Sequence, residues 1–390
     1  MTDAPITLPL LRLGRLQLDQ GLRDLKPGPA ASGLVVTATV EVPESAAERQ
    51  YAWDVAWADA AREASRLGAD ERTAQALAVG AGTAIARGTR VVVAAHGQVL
   101  LARWLPPGVA TGSVRVGPLP HLREVAAAAA RRPAHVVLLA DRDGAAVIAH
   151  AAGAQFPGRR FPVGARPGAP RDPHPERPPA QRHGERHVTD SEPGSGGQRN
   201  AEFIAARVAE AAVGVDAHIV LGAGDQHILD AVSGHLPGSL GPITTIASGH
   251  VSEVSDDRLS AASGAALDEI TAAAIGAVAD LVASSADGPD PAAVRGVEAV
   301  AEQLAAQQVA VLLVAADISS DGDVGPGYRI GSHPAELLAD DSGEGTPVPL
   351  DDGLAWAALH QDAIVVQLPD RTGPLAGDPA AALLRRGRAS

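Results

Sequence analysis

Cysteine is absent from this chain of 390 residues, which excludes a disulfide framework, thiol catalysis and cysteine-ligated metal. Lysine occurs once, as Lys26 in Asp24-Leu25-Lys26-Pro27, so recognition of phosphate groups falls to arginine. Its position also excludes a phosphate-cradling Gly-x-x-x-x-Gly-Lys-Ser/Thr loop, and no Gly-x-Ser-x-Gly nucleophile elbow occurs. Aromatic residues are scarce: four Trp, two Tyr and three Phe leave the cores to Ala, Val and Leu. No apolar run reaches the ~18 residues of a membrane-spanning helix. Val125–Ala130 comes nearest, and Arg131 and Arg132 end it. The first residues lack a basic region followed by an apolar run, so the expectation is a cytoplasmic protein with no membrane partner. A net charge of -14 argues against a broad nucleic-acid-coating surface.

What is present is a globular composition, 46% hydrophobic and 20% charged, on a chain long enough for two or three domains. Gly33–Val42 alternates as a strand. Trp53, Trp57, Ala60, Ala64 and Leu67 recur at helical spacing, with Gly68 closing the helix and both tryptophans on its core face. Arg90–Ala95 and Gln98–Leu105 flank a hairpin turn at His96-Gly97. After a helix at Leu122–Ala130, Val136–Ala140 and Ala145–Ala149 form a second hairpin around Asp141-Arg142-Asp143-Gly144. A helix beginning at Asn200 and capped by Gly214 precedes strands at Ala217–Leu221 and Ile243–Ile246 and a helix around Ile228–Val232. An Ala-rich helical region covers Arg258–Ala283. Asp290-Pro291 then reads as the start of a helix carrying Val294, Val297, Ala301 and Leu304. Strands at Val309–Ala315 and Ala363–Leu368 complete an α/β chain with domain boundaries near 131 and 270, giving domains 1–131, 132–270 and 271–390.

One segment breaks this pattern. From Pro157 to Pro193 there are nine prolines in 37 residues, and no regular element is expected there. Between Gly158 and Arg199 eight arginines face five acids, so a basic loop (157–199) of net +3 stands on a remainder of -17. His183 and His187 lie in it four apart, but Pro178, Pro179 and Gly184 oppose the helix that would align them, and no metal site is expected. Elsewhere, Gly222-Ala223-Gly224 reads as a plain strand-to-helix turn, since His227 stands where a dinucleotide fingerprint needs glycine. The pairs Asp256-Asp257 and Asp351-Asp352 read as solvated faces.

The loop ends in Gly196-Gly197-Gln198, with Arg199 following. Two glycines let the main chain approach a ligand closely, and an amide N–H presented there can donate to a developing oxyanion or hold an attacking water. Glutamine adds a donor and an acceptor but no general base, so such a site borrows its remaining machinery from a partner. Arg182, Arg186 and Arg199 are the candidate RNA-phosphate contacts.

Gly-Gly-Gln on a basic loop resembles the motif of the archaeal and eukaryotic class-1 release factor family, which includes Pelota. The stretch from Val114 through Ala149 resembles that family's entry into its middle domain. The helix after Gln198 and the strand Ile219–Gly222 continue it, and Gly296-Val297-Glu298 before Val309–Ala315 resembles the start of its RNA-binding-like C-terminal fold. The Ala-rich character is most similar to the bacterial branch, to which the ribosome hibernation factor Balon belongs. The codon-reading Asn-Ile-Lys-Ser motif of the family is missing.

The resemblance implies a three-domain, tRNA-shaped release-factor-like architecture and a translation factor. Such a factor binds the ribosomal A site without reading a codon, with its loop by the large-subunit rRNA of the peptidyl-transferase centre. Ribosome hibernation is the first reading. The alternative is a peptidyl-tRNA hydrolase or rescue factor in which Gly196, Gly197 and Gln198 direct water to the ester, so enzyme activity is left open. An EF-Tu-type GTPase is the delivery partner the family implies, and no cofactor is expected.

Overall fold

The computed structural model describes residues 10, 12–26, 33–42, 49–84, 88–105, 112–141, 145–153, 159–163, 195–249, 255–286, 291–318, 328–331, 333–334, 336–339 and 343–385; for 159–163 and 195–199 it describes the backbone alone. The chain divides into two units. One comprises residues 1–133, 152–156 and 267–390, the other 134–151 and 157–266. The fold is mixed α/β throughout, and among the described residues no sheet crosses position 131 or 270.

The first unit opens with the short helix α1 (Gln20–Arg23) and a four-stranded antiparallel sheet in the order β3-β2-β1-β4. Its strands are β1 (Val35–Glu41), β2 (Thr89–Ala95), β3 (Gln98–Leu105) and β4 (Ser113–Gly117). Val36, Ala38 and Val40 on one face pack against α2 (Arg49–Arg66) and α3 (Glu71–Ala81), through Trp53, Trp57 and Leu77. Val35, Val91, Val93 and Leu101 on the other face meet Leu16, Leu18, Leu22 and α4 (Arg123–Ala130). Covering both faces explains why β1 is buried over six successive residues, although its sequence alternates. The β2–β3 turn is the one the sequence predicts: His96 (φ 52°) and Gly97 (φ 75°) supply the two left-handed residues of a tight hairpin. The tryptophans lie in the core as expected, Trp53 edge-on to Trp57 at 5.7 Å and stacked on Trp104 at 5.4 Å.

The remaining elements of the first unit form a second sheet in the order β10-β16-β11-β15. These strands are β10 (Ala293–Arg295), β11 (Val309–Ala315), β15 (Ile364–Leu368) and β16 (Ala380–Leu384), with β11 and β15 parallel. One face takes α8 (Val297–Ala305) and α9 (Leu350–His360); the other takes the second half of α7 (Asp256–Ser285) through Ala274, Val278 and Val282. A small sheet, β13-β12-β14, joins Leu337–Ala339, Tyr328–Ile330 and Thr346–Val348. The helix expected from Pro291 does not start there. Val294 lies on β10, paired with Ala382, and the helix begins at Val297 behind Gly296. The pairing to β16 overrides the local N-cap preference, since an edge strand gains ladder hydrogen bonds there.

The second unit is a five-stranded sheet in the order β7-β6-β5-β8-β9. It consists of β5 (His135–Ala140), β6 (Ala145–His150), β7 (Arg159–Val163), β8 (Ile219–Gly224) and β9 (Thr244–Ser248), with α5 (Ser195–Val215) and α6 (Gln226–Ser233). The predicted hairpin is β5–β6, and β8 and β9 run parallel to β5 and β8 respectively. Strand β7 corrects the expectation that nothing regular follows Pro157. Its Pro162 is opposite Ala146 at the sheet's edge, where a residue without an N–H is tolerated. Helix α5 also overruns Gly214. Asp216, at φ 55°, ends it, and Ala217 N–H donates to Ala212 O in a 6→1 closing bond.

Candidate functional site

The Gly-Gly-Gln segment sits on α5, which the sequence places from Asn200 and the structure from Ser195. Gln198 and Arg199 are good helix formers, and the first turn takes in Gly196, Gly197 and Gln198. Ala201, Ile204, Ala205, Val208 and Ala212 recur at helical spacing and are buried, so this stripe faces the unit's core. Glu202, Arg207 and Glu210 face outward, Arg207 bonded to Glu210 at 2.5 Å. The N–H groups of a helix's first turn lack intrahelical partners and carry the positive end of its dipole. Two of the residues in this first turn are glycines and add no side chain of their own, which suits an anionic oxygen, a phosphate or a developing oxyanion. Arg182, Arg186, His183 and His187 lie outside the described residues, as does the side chain of Arg199.

Gly222-Ala223-Gly224 is the plain turn the sequence suggests. A Cβ on Gly222 would press into Ile243 and Leu229, and one on Gly224 would collide with the Ala140 carbonyl. Asp225 then caps α6, its carboxylate accepting from His227 N–H at 2.9 Å. Both glycines are spent on packing, and neither cradles a phosphate. Among the described residues no helix is long and apolar enough to cross a membrane.

A second constellation escapes sequence reasoning, and it overturns one expectation. Asp351 and Asp352 are not a solvated face: their side chains are 0% and 9% exposed. They occupy the first turn of α9, where the helix dipole favours carboxylates. His121, which precedes α4, brings its Nδ1 within 2.6 Å of Asp352 Oδ1, a hydrogen bond between the two side chains. Its backbone N–H donates to Thr37 Oγ1 at 2.9 Å, which fixes the residue against β1. Arg123 Nη1 donates to the Ile318 carbonyl at 3.2 Å, and its Nε stands 3.9 Å from Asp351 Oδ2, beyond hydrogen-bond range. Burial, and then the neighbouring Asp352 charge, push the Asp351 carboxyl above its ordinary range, while Arg123 and His121 pull it back. His121 Nε2, Arg123 Nε and both Asp351 oxygens are buried without a hydrogen-bond partner. The signal that could have found the pair is the run Gly353–Leu359 behind it. A helix apolar on all sides is buried on all sides, and so are carboxylates in its first turn.

Comparison with known proteins bears on the first of these sites. The family model described as bacterial archaeo-eukaryotic release factor family 2 matches residues 134–287, a span that contains Gly196-Gly197-Gln198. Among solved structures, the chain is similar to Pelota of Archaeoglobus fulgidus, at 13% identity and a TM-score of 0.31, covering 97% of each chain. It is also similar to archaeal Pelota from a model of the ribosome-bound protein with ABCE1, at 14% identity and 0.38, covering 95% of this chain and 96% of that one. An archaeal translation termination factor matches at 11% identity and 0.21, covering 90% and 92%. No curated protein sequence matches.

Proposed function

We propose that this chain, whose residues 134–287 match the bacterial archaeo-eukaryotic release factor family 2 model, is a ribosome-associated translation factor of the release factor and Pelota superfamily, acting in the cytoplasm without reading a codon. One observation carries this reading. The matched span holds Gly196-Gly197-Gln198 behind an arginine-rich segment of net +3, on a chain whose total charge is -14. Positive charge is therefore concentrated next to the motif, where a phosphate backbone would meet Arg182, Arg186 and Arg199. In this reading the protein enters the ribosomal A site, sets the motif near the peptidyl-transferase centre and silences the ribosome, as a hibernation factor does. The lack of an Asn-Ile-Lys-Ser motif favours dormancy or rescue over termination. Delivery by an EF-Tu-type GTPase, and three domains divided near residues 131 and 270, belong to the same proposal.

The second reading is a peptidyl-tRNA hydrolase. The observation behind it is the glycine pair in the first turn of α5, whose N–H groups suit an oxyanion. Co-sedimentation with 70S ribosomes tests the first proposal, and pelleting of the purified chain with them is the expected result. Replacing Arg182, Arg186 and Arg199 together should weaken the association and flatten its salt dependence, by about one unit of slope for each phosphate no longer neutralised. A chain that stays in the supernatant at low salt overturns the ribosomal reading.

A further inference from the structure

His121, Asp351 and Asp352 come from two places 230 residues apart in the chain, yet one donor atom from each lies within 4.8 Å of the others. The three side chains are 5%, 0% and 9% exposed. A carboxylate in such surroundings needs a cation or several hydrogen-bond donors, because an unpaired buried charge is expensive. Arg123 fills that role only in part, as a cation without a hydrogen bond to the carboxylate. It gives Nη1 to the Ile318 carbonyl and stays 3.9 Å from Asp351, whose two oxygens remain unsatisfied. The imidazole points the same way. Its Nδ1 stands 2.6 Å from Asp352 Oδ1, and its Nε2 is buried with no partner. One imidazole and two carboxylates brought together out of water are a ligand set that metal sites use.

We propose that His121, Asp351 and Asp352 bind a divalent transition-metal ion, which fastens the segment before α4 to the first turn of α9. One imidazole nitrogen and carboxylate oxygens suit Zn²⁺ or Mn²⁺, whereas Mg²⁺ and Ca²⁺ prefer oxygen alone. The role is structural. The site is enclosed, and it lies in a different unit from Gly196-Gly197-Gln198. Metal binding there is therefore independent of the ribosomal reading.

The test uses the full-length chain. Elemental analysis of the purified protein should find about one transition-metal ion per chain. Removing it with a chelator should lower the thermal midpoint by several degrees, and equimolar ZnCl₂ or MnCl₂ should restore it where MgCl₂ does not. Amide exchange should slow on metal addition at residues 119–123 and 350–354. Asp351→Asn should weaken metal affinity at least ~10-fold. If that variant fails to fold, the exchange footprint on the wild type decides. A metal-free wild type whose midpoint ignores zinc and manganese overturns the proposal and leaves a plain ion network. So does a metal footprint confined to the histidines between 174 and 187.

Discussion

His121 Nδ1 lies 2.6 Å from Asp352 Oδ1, a pairing across 231 residues that ties the segment entering α4 to the first turn of α9. Around it, Val125 and Leu122 from one side and Leu354 and Trp356 from the other belong to a single apolar cluster. The N-terminal and C-terminal parts of the chain thus share a core as well as a buried ion network. Polar and apolar contacts at one junction reinforce each other, because each excludes water from the other.

Removing one member of that pair should be expensive. Asp352→Ala leaves His121 without its acidic partner, and breaking a buried pair typically costs ~3–5 kcal/mol. Asp257→Ala removes an exposed carboxylate from the first turn of α7, where the dipole contribution is ~0.3–1 kcal/mol. Urea unfolding followed through tryptophan emission should separate the two Asp-Asp pairs several-fold. Equal losses would contradict the burial difference.

Gly224 is the most tightly enclosed glycine among the described residues of the second unit. Its φ is 132°, and a Cβ there would run into the Ala140 carbonyl of the neighbouring strand. Gly224→Ala should therefore force β8 away from β5 and cost more than ~2 kcal/mol, by strain and by weakened pairing. Gly214→Ala, at an exposed position with nothing near its Cβ, should stabilise α5 by up to ~1 kcal/mol. Thermal midpoints of the two variants should move in opposite directions.

Asp70 links a helix cap to a hairpin. Its carboxylate accepts from Thr73 N–H at 3.0 Å and from Thr73 Oγ1 at 2.6 Å, and Thr73 Oγ1 in turn accepts from Gly97 N–H at 2.9 Å. The Thr73 hydroxyl first, and its backbone N–H second, hold the Asp70 carboxyl below the ordinary range. A depressed carboxyl contributes stability above its unfolded pKa and loses it as pH falls through the folded value. Asp70→Ala should cost ~1 kcal/mol at pH 7. The gap to wild type should close as the solution is taken below pH ~4. Urea midpoints at several pH values check this, and a gap that widens in acid would refute it.

Local signals were readable wherever local chemistry decided the outcome. His96-Gly97 makes its turn because both residues tolerate the left-handed region, and Trp53 and Trp57 face the core because their spacing gives the helix one apolar side. The misreadings arise where tertiary contacts decide. Asp290-Pro291 carries a helix-start signature, yet the chain beyond it pairs with β16, a strand nearly 90 residues later. Asp351-Asp352 and Asp256-Asp257 are the same dipeptide, and only the apolar run after the first predicts that it is buried. The helical backbone of Gly196-Gly197-Gln198 was not legible, because glycine has the lowest helix propensity after proline.

That helical backbone sharpens the decisive experiment on the motif. Glycine in a helix interior is ~1 kcal/mol less favourable than alanine, so Gly197→Ala should leave the fold intact and raise the stability of α5 slightly. Any functional loss in this variant then reports on the motif's approach to a ligand and not on unfolding. A hydrolytic role requires the backbone N–H to reach the reacting ester. An added methyl group would obstruct that approach, whereas Gln198→Ala leaves the amide in place. Losing one oriented donor typically costs ~10²–10³ in rate, so hydrolysis predicts a larger fall for Gly197→Ala than for Gln198→Ala. The hibernation reading predicts that wild type and both variants pellet with ribosomes and that none releases peptide above background. We expect the second pattern, since the chain lacks the Asn-Ile-Lys-Ser element that would restrict hydrolysis to stop codons. A hydrolase free to act on any occupied ribosome would cleave peptides still being made. A release assay on ribosomes loaded with peptidyl-tRNA, run with the three proteins side by side, separates the readings. Release by wild type that Gly197→Ala abolishes would establish the enzyme and end the hibernation proposal.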